Sequence, residues 1–221
     1  MKRTLTLLTG LTVLPLALAA QQNAVARLQQ VLPASVADSV IAIVTNATNH
    51  GLPGQAIAER ALETVAKTRN GQDAQAAAQA LASDLQASHD ALAGSGHQPS
   101  ASEIEAGAQA MELGVSGSTI SALAQSAPSG RSLAVPLAVL GALVNRGLPS
   151  DGALQAVSDR LTARASDTQL TQMPGQAGQM IAQGYRPADV GPALAAGRPG
   201  SVPANGGHPG AMPSHPGRPG H

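Results

Sequence analysis

A chain of 221 residues with no cysteine and only 12% charged residues excludes disulfide stapling, thiol chemistry and Cys-ligated metals. Basic and acidic side chains balance at 13 each, so nothing electrostatic points to nucleic acid or an anionic membrane as partner. Aromatic residues are reduced to Tyr185, with no Phe or Trp. Stacking platforms for bases or sugars are thereby excluded, and a core of Ala, Leu, Val and Ile must gain its energy from closely approaching helices.

Residues 1–19 read as a cleavable bacterial signal peptide. Lys2 and Arg3 form a basic start, Thr4 to Leu16 a mostly apolar run, and Ala17-Leu18-Ala19 places small residues where a signal peptidase reads them. The run is too short to span a bilayer comfortably, so no transmembrane anchor is expected after cleavage. The mature chain then begins at Ala20 or Gln21, in the periplasm or outside the cell, with 11 basic against 13 acidic residues.

The remainder predicts an all-α domain over 20–196, with a point of subdivision near 94–100. Gln21 to Leu32 is a first helix, closed by Pro33. Ser35 to Asn49 and Gly54 to Arg69 follow, each with apolar residues at helical spacing. Asp73 to Leu92 carries an Ala/Leu stripe that Ser88 interrupts, which predicts a less buried last turn. Gly94 to Pro99 is a break. Ser102, with Glu105 three residues on, predicts the capping box of the next helix. Ser132 to Val144, the most apolar run after the signal, predicts a central core helix with Pro136 near its start. Asp151 to Ala165, Leu170 to Ala182 and Pro187 to Ala196 complete the domain.

One punctuation mark recurs. His50-Gly51-Leu52-Pro53, Leu113-Gly114-Val115-Ser116, Arg146-Gly147-Leu148-Pro149 and Gln183-Gly184-Tyr185-Arg186 each close one apolar-periodic segment and open another. A glycine just past a helix adopts the left-handed conformation, and the apolar residue after it packs back on the last turn. The glycines stand 63, 33 and 37 residues apart, which fits either a helical bundle or a short solenoid-like array of helical hairpins. In this helix–Gly–helix pattern the chain resembles α-helical repeat proteins, a likeness of architecture that implies no functional residue.

The last segment, 197–221, holds seven glycines and six prolines and no acidic residue, a composition expected to stay disordered. His208, His215 and His221 within it are the candidate metal ligands, since imidazoles on a pliable chain suit Cu(II), Ni(II) or Zn(II) at modest affinity. His89, Asp90 and His97, with Glu103 and Glu105 nearby, form a weaker cluster that reads better as solvated surface. Met111, Met173 and Met180 read as core fillers. Asn46-Ala47-Thr48 has the form of a glycosylation acceptor inside a predicted helix. Phosphate-cradling, dinucleotide, nucleophile-elbow and H-E-x-x-H motifs are absent from the sequence. These features predict an exported, non-enzymatic helical protein that meets a protein or envelope partner, with no cofactor; the alternative is a low-affinity transition-metal binder acting through the three C-terminal histidines.

Overall fold

The computed structural model describes residues 15–196, with side chains from Asn23 onward, and this span is all-α. The helices are α1 (Pro15–Val31), α2 (Ala34–Asn49), α3 (Gly54–Thr68), α4 (Gly71–Ala93), α5 (Ala101–Glu112), α6 (Gly117–Ser126), α7 (Ala134–Asn145), α8 (Ser150–Thr162), α9 (Asp167–Ala182) and α10 (Pro187–Ala195). Among the described residues there is no strand, and no helix is long and apolar enough to cross a membrane. Residues 1–14 of the predicted signal and the predicted tail 197–221 lie outside the described span.

α1 starts six residues before the expected Gln21. Proline is favoured at a first helical position, and the Leu/Ala run after Pro15 is strongly helix-forming. The predicted cleavage point after Ala19 therefore lies within α1. Among the residues whose side chains are described, α1 and its end place Ala24, Leu28 and Leu32 in the core.

Five four-residue links share one geometry. Leu52, Val115, Leu148, Ala165 and Tyr185 donate their N–H to the carbonyls of Ala47, Ala110, Leu143, Arg160 and Met180, at 2.9–3.2 Å. The residue before each donates to Thr48, Met111, Val144, Leu161 and Ile181, at 2.8–3.0 Å. Together these are the paired bonds of the Schellman motif, which satisfy the last carbonyls of a helix. Four of the links carry the expected left-handed glycine. The fifth was not expected, because Arg164 takes that conformation (φ 58) without being glycine.

Three local expectations are corrected. Two overlapping Ser-x-x-Glu patterns open α5, and the capping pair is Ser100 with Glu103, not Ser102 with Glu105. α9 starts at Asp167 rather than Leu170, because Ser166 and Gln169 form a second capping box. Ser88 does not loosen the end of α4, since Ser88 and Leu92 are both fully buried. The Ser88 hydroxyl occupies the space beside Gly107 of α5 that any larger side chain would fill.

The helices form a two-layered array. In one row α2, α4, α6, α8 and α10 pack in succession; in the other α1 packs on α3, and α5, α7 and α9 follow one another. Between rows, contacts run chiefly between sequence neighbours, such as α3 on α4, α4 on α5 and α7 on α8. In the second row α3 and α5 touch at most marginally. Close approach does replace aromatic bulk. A Cβ on Gly191 of α10 would stand 2.6 Å from the Gly152 carbonyl oxygen of α8, and one on Gly141 of α7 would stand 3.0 Å from the Ala110 Cα of α5.

Buried side chains gather in two cores. The first runs from Ala24 to Leu85 and includes Ile104 and Ala108. The second begins at Leu92 and Ala110 and ends at Leu194. α4 and α5, which flank the 94–100 break, contribute to both cores and so join them. α7 supplies Leu137, Val139, Leu140 and Leu143 to the second.

Candidate functional site

Glu103 and Glu105, two residues apart on α5, lie in opposite environments. Glu103 is buried at 4% exposure where the two longest links meet. Its Oε2 accepts the N–H and the hydroxyl of Ser100, each at 2.8 Å. Its Oε1 accepts the N–H of Leu133, at the start of α7, at 2.7 Å. His97 Nε2 stands 3.2 Å from the same oxygen, in charge-pairing range but off the line of a directed hydrogen bond. Burial pushes the Glu103 carboxyl upward, yet the Leu133 and Ser100 N–H groups and the Ser100 hydroxyl, with His97 close beside them, outweigh it and hold the acid down at about 2. The carboxylate thus fastens the links 94–100 and 127–133 over the joint between the two cores.

Glu105 lines a groove of about 390 Å³ where α3 and α5 part. α4 supplies an apolar floor, Leu81 and Leu85; α3 supplies Ala56, Glu59, Arg60 and Glu63 to one wall, and α5 Glu105, Gln109 and Glu112 to the other. Arg60 is the single cation of this lining, and it spans the gap to grip both Glu112 oxygens, at 2.7 and 3.2 Å. The Glu112 hydrogen bond holds the Arg60 guanidinium above its ordinary pKa despite partial burial. Glu63 accepts Lys67 at 2.6 Å, and that hydrogen bond lowers its pKa. Glu59 and Glu105 have no cationic partner among the described residues. Partial burial and the nearby Glu59 raise the Glu105 pKa. Burial and Glu112 likewise raise that of Asp84 on α4. These carboxylates repel one another across the groove, and a cation placed between them would relieve that repulsion.

A second groove, of about 400 Å³, lies on the other side of α3. Arg27, Gln30 and Val31 of α1 face Leu62, Val65, Ala66 and Arg69 there. Val31 is the exposed large apolar side chain of the described span, at 52%. α3 thus separates an acidic groove from a basic one.

Of the residues expected from sequence, His97 and Glu103 come together, but as a structural fastening. His89 Nδ1 pairs with its neighbour Asp90 at 3.2 Å on the surface. Met173 and Met180 are buried in the second core, with Met111 packed against it. Asn46 and Thr48 lie within α2. His208, His215 and His221 lie outside the described residues. The groove carboxylates Glu59, Glu63 and Glu112 were not singled out from sequence; their only signal was a three- or four-residue spacing that any solvated helix face shows. No family model matches this chain, and neither a curated protein nor a solved structure matches it.

Proposed function

We propose that this is an exported, non-enzymatic interaction protein whose α3–α5 groove receives a basic segment of a partner protein. The observation that carries this reading is the gap in the second row. Where every other neighbouring pair of that row packs directly, α3 and α5 stand apart over Leu81 and Leu85, with an excess of carboxylates on the walls. An extended or helical segment with basic side chains matches the acidic walls, because complementary charge sets register and encounter rate. Export is supported by the basic, apolar and small-residue order of residues 1–19.

The binding test is a titration with a short peptide of alternating Lys and Leu, read by amide chemical shifts. Shifts confined to the Ala56–Glu63, Leu81–Leu85 and Glu105–Glu112 lining are expected. With about 0.5 kcal/mol per exposed ion pair, the triple variant Glu59→Gln/Glu63→Gln/Glu105→Gln weakens binding about tenfold. Shifts centred on the α1–α3 groove, or affinity untouched by the triple variant, would refute the assignment. Export is tested by sequencing the N-terminus of the extracytoplasmic protein, where Ala20 or Gln21 is the expected first residue and a retained Met1 the contrary one.

A further inference from the structure

We infer that the chain's own C-terminal segment, residues 197–221, is an occupant of the α3–α5 groove and competes there with the partner; this rests on the groove reading above. Three observations favour this segment over other occupants. The first is charge. The segment carries Arg198, Arg218 and three histidines and no acidic side chain, whereas the groove presents Glu59 and Glu105 without a cationic partner, beside Glu112 gripped by Arg60 and Glu63 held by Lys67. The same charges oppose docking in the α1–α3 groove, which presents Arg27 and Arg69.

The second is reach. The array passes from α5 to α7 to α9, and α10 packs beside α9 and α8. At 8–10 Å per packed pair the end of α10 stands about 30 Å from the groove. A flexible chain of about 20 residues has an end-to-end distance near 25 Å and stretches to about 65 Å. His208, His215, Arg218 and His221 lie within that span, and Arg198, two residues past Ala196, does not. The third is composition: each reaching histidine or arginine except His221 is followed by Pro-Gly, and proline lowers the entropy cost of laying an extended segment into a groove.

The groups facing the docked segment are Glu59, Arg60 and Glu63 of α3, with Lys67 one turn on, Asp84 of α4, and Glu105 and Glu112 of α5. Histidine protonation below about pH 6.5 adds positive charge to the segment. Occupancy therefore rises as pH falls from 7.5 to about 6.

The chain has no cysteine, so Ser214→Cys in the full-length chain gives one site for a nitroxide label. Its paramagnetic effect on amide signals locates the segment. Expected is an about twofold or greater loss of intensity at Glu59, Glu63, Glu105 and Glu112, independent of protein concentration and reversed near 0.5 M salt, where the screening length falls to about 4 Å. Loss that is absent, that is equal at Arg27, Val31 and Arg69, or that survives Glu59→Gln/Glu63→Gln/Glu105→Gln overturns the inference. Loss that grows with concentration overturns it too, in favour of a second copy's segment. The Lys/Leu peptide titration separates the two failures: if the peptide occupies the groove and the label does not, the self-docking inference falls and the partner groove stands; if neither does, both fall.

Discussion

The joint around Glu103 and the groove around Glu105 use the same side chain on the same helix to opposite ends. At the joint every oxygen of the carboxylate meets donors, and burial makes those bonds count. In the groove Glu105 meets no donor among the described residues and faces Glu59 across the gap. In the first arrangement the donors outweigh the cost of burial and fix the fold; the second is a local liability that a cationic ligand would remove. An array of this kind can carry such a liability because each helix is held mainly by those one and two places away, and an opening between α3 and α5 leaves the other packing intact.

The contrast is broken most severely at the joint. Glu103→Gln leaves an amide N–H facing either the Ser100 or the Leu133 N–H and is expected to cost about 2–3 kcal/mol, measured by urea unfolding. Because the folded acid titrates at about 2 against an ordinary 4.5, its stabilisation is complete above about pH 4.5 and is lost as pH falls toward 2. In the variant that segment of the pH–stability curve flattens. Gly191→Ala comes next. It drives a methyl into the Gly152 backbone, and an overpacked contact of this type costs about 1–3 kcal/mol. A cost below about 0.5 kcal/mol would mean that α8 and α10 pack less closely than described.

Smaller effects sharpen the other side. Gly147→Ala forces a Cβ into a left-handed turn at φ 90 and is expected to lose about 1–2 kcal/mol. Arg164→Gly relieves the same conformation at the one Schellman link without glycine, and is expected to range from neutral to about 0.5 kcal/mol more stable. Glu105→Gln is expected within about 0.5 kcal/mol of the parent, on the stabilising side at pH 7. The sign follows from a folded pKa that is raised: the charged form is disfavoured by folding, so removing the charge removes a penalty.

Much of the array was legible in the sequence because its signals are local. Gly51, Gly114, Gly147 and Gly184 each mark a turn whose hydrogen bonds span five residues, and the apolar residue after each glycine is buried or half-buried as that geometry requires. Arg164 escaped notice because its left-handed conformation is imposed by the packing of Ala165 and the cap at Ser166, not by its own residue type. At α5 the sequence offered two capping registers, and the choice was made 30 residues away by the Leu133 N–H. The groove was hidden for the same reason. Glu59, Glu63, Glu105 and Glu112 become neighbours only because α3 and α5 stand apart, a property of the row and not of either helix.

The most direct test of the contrast is the titration of Glu103 and Glu105 side-chain carboxyl carbons in one series of NMR spectra. Glu103 is expected to titrate near 2 and Glu105 above the ordinary 4.5. Two carboxyls that titrate together near 4.5, or in the reverse order, would contradict both the sealed joint and the uncompensated groove.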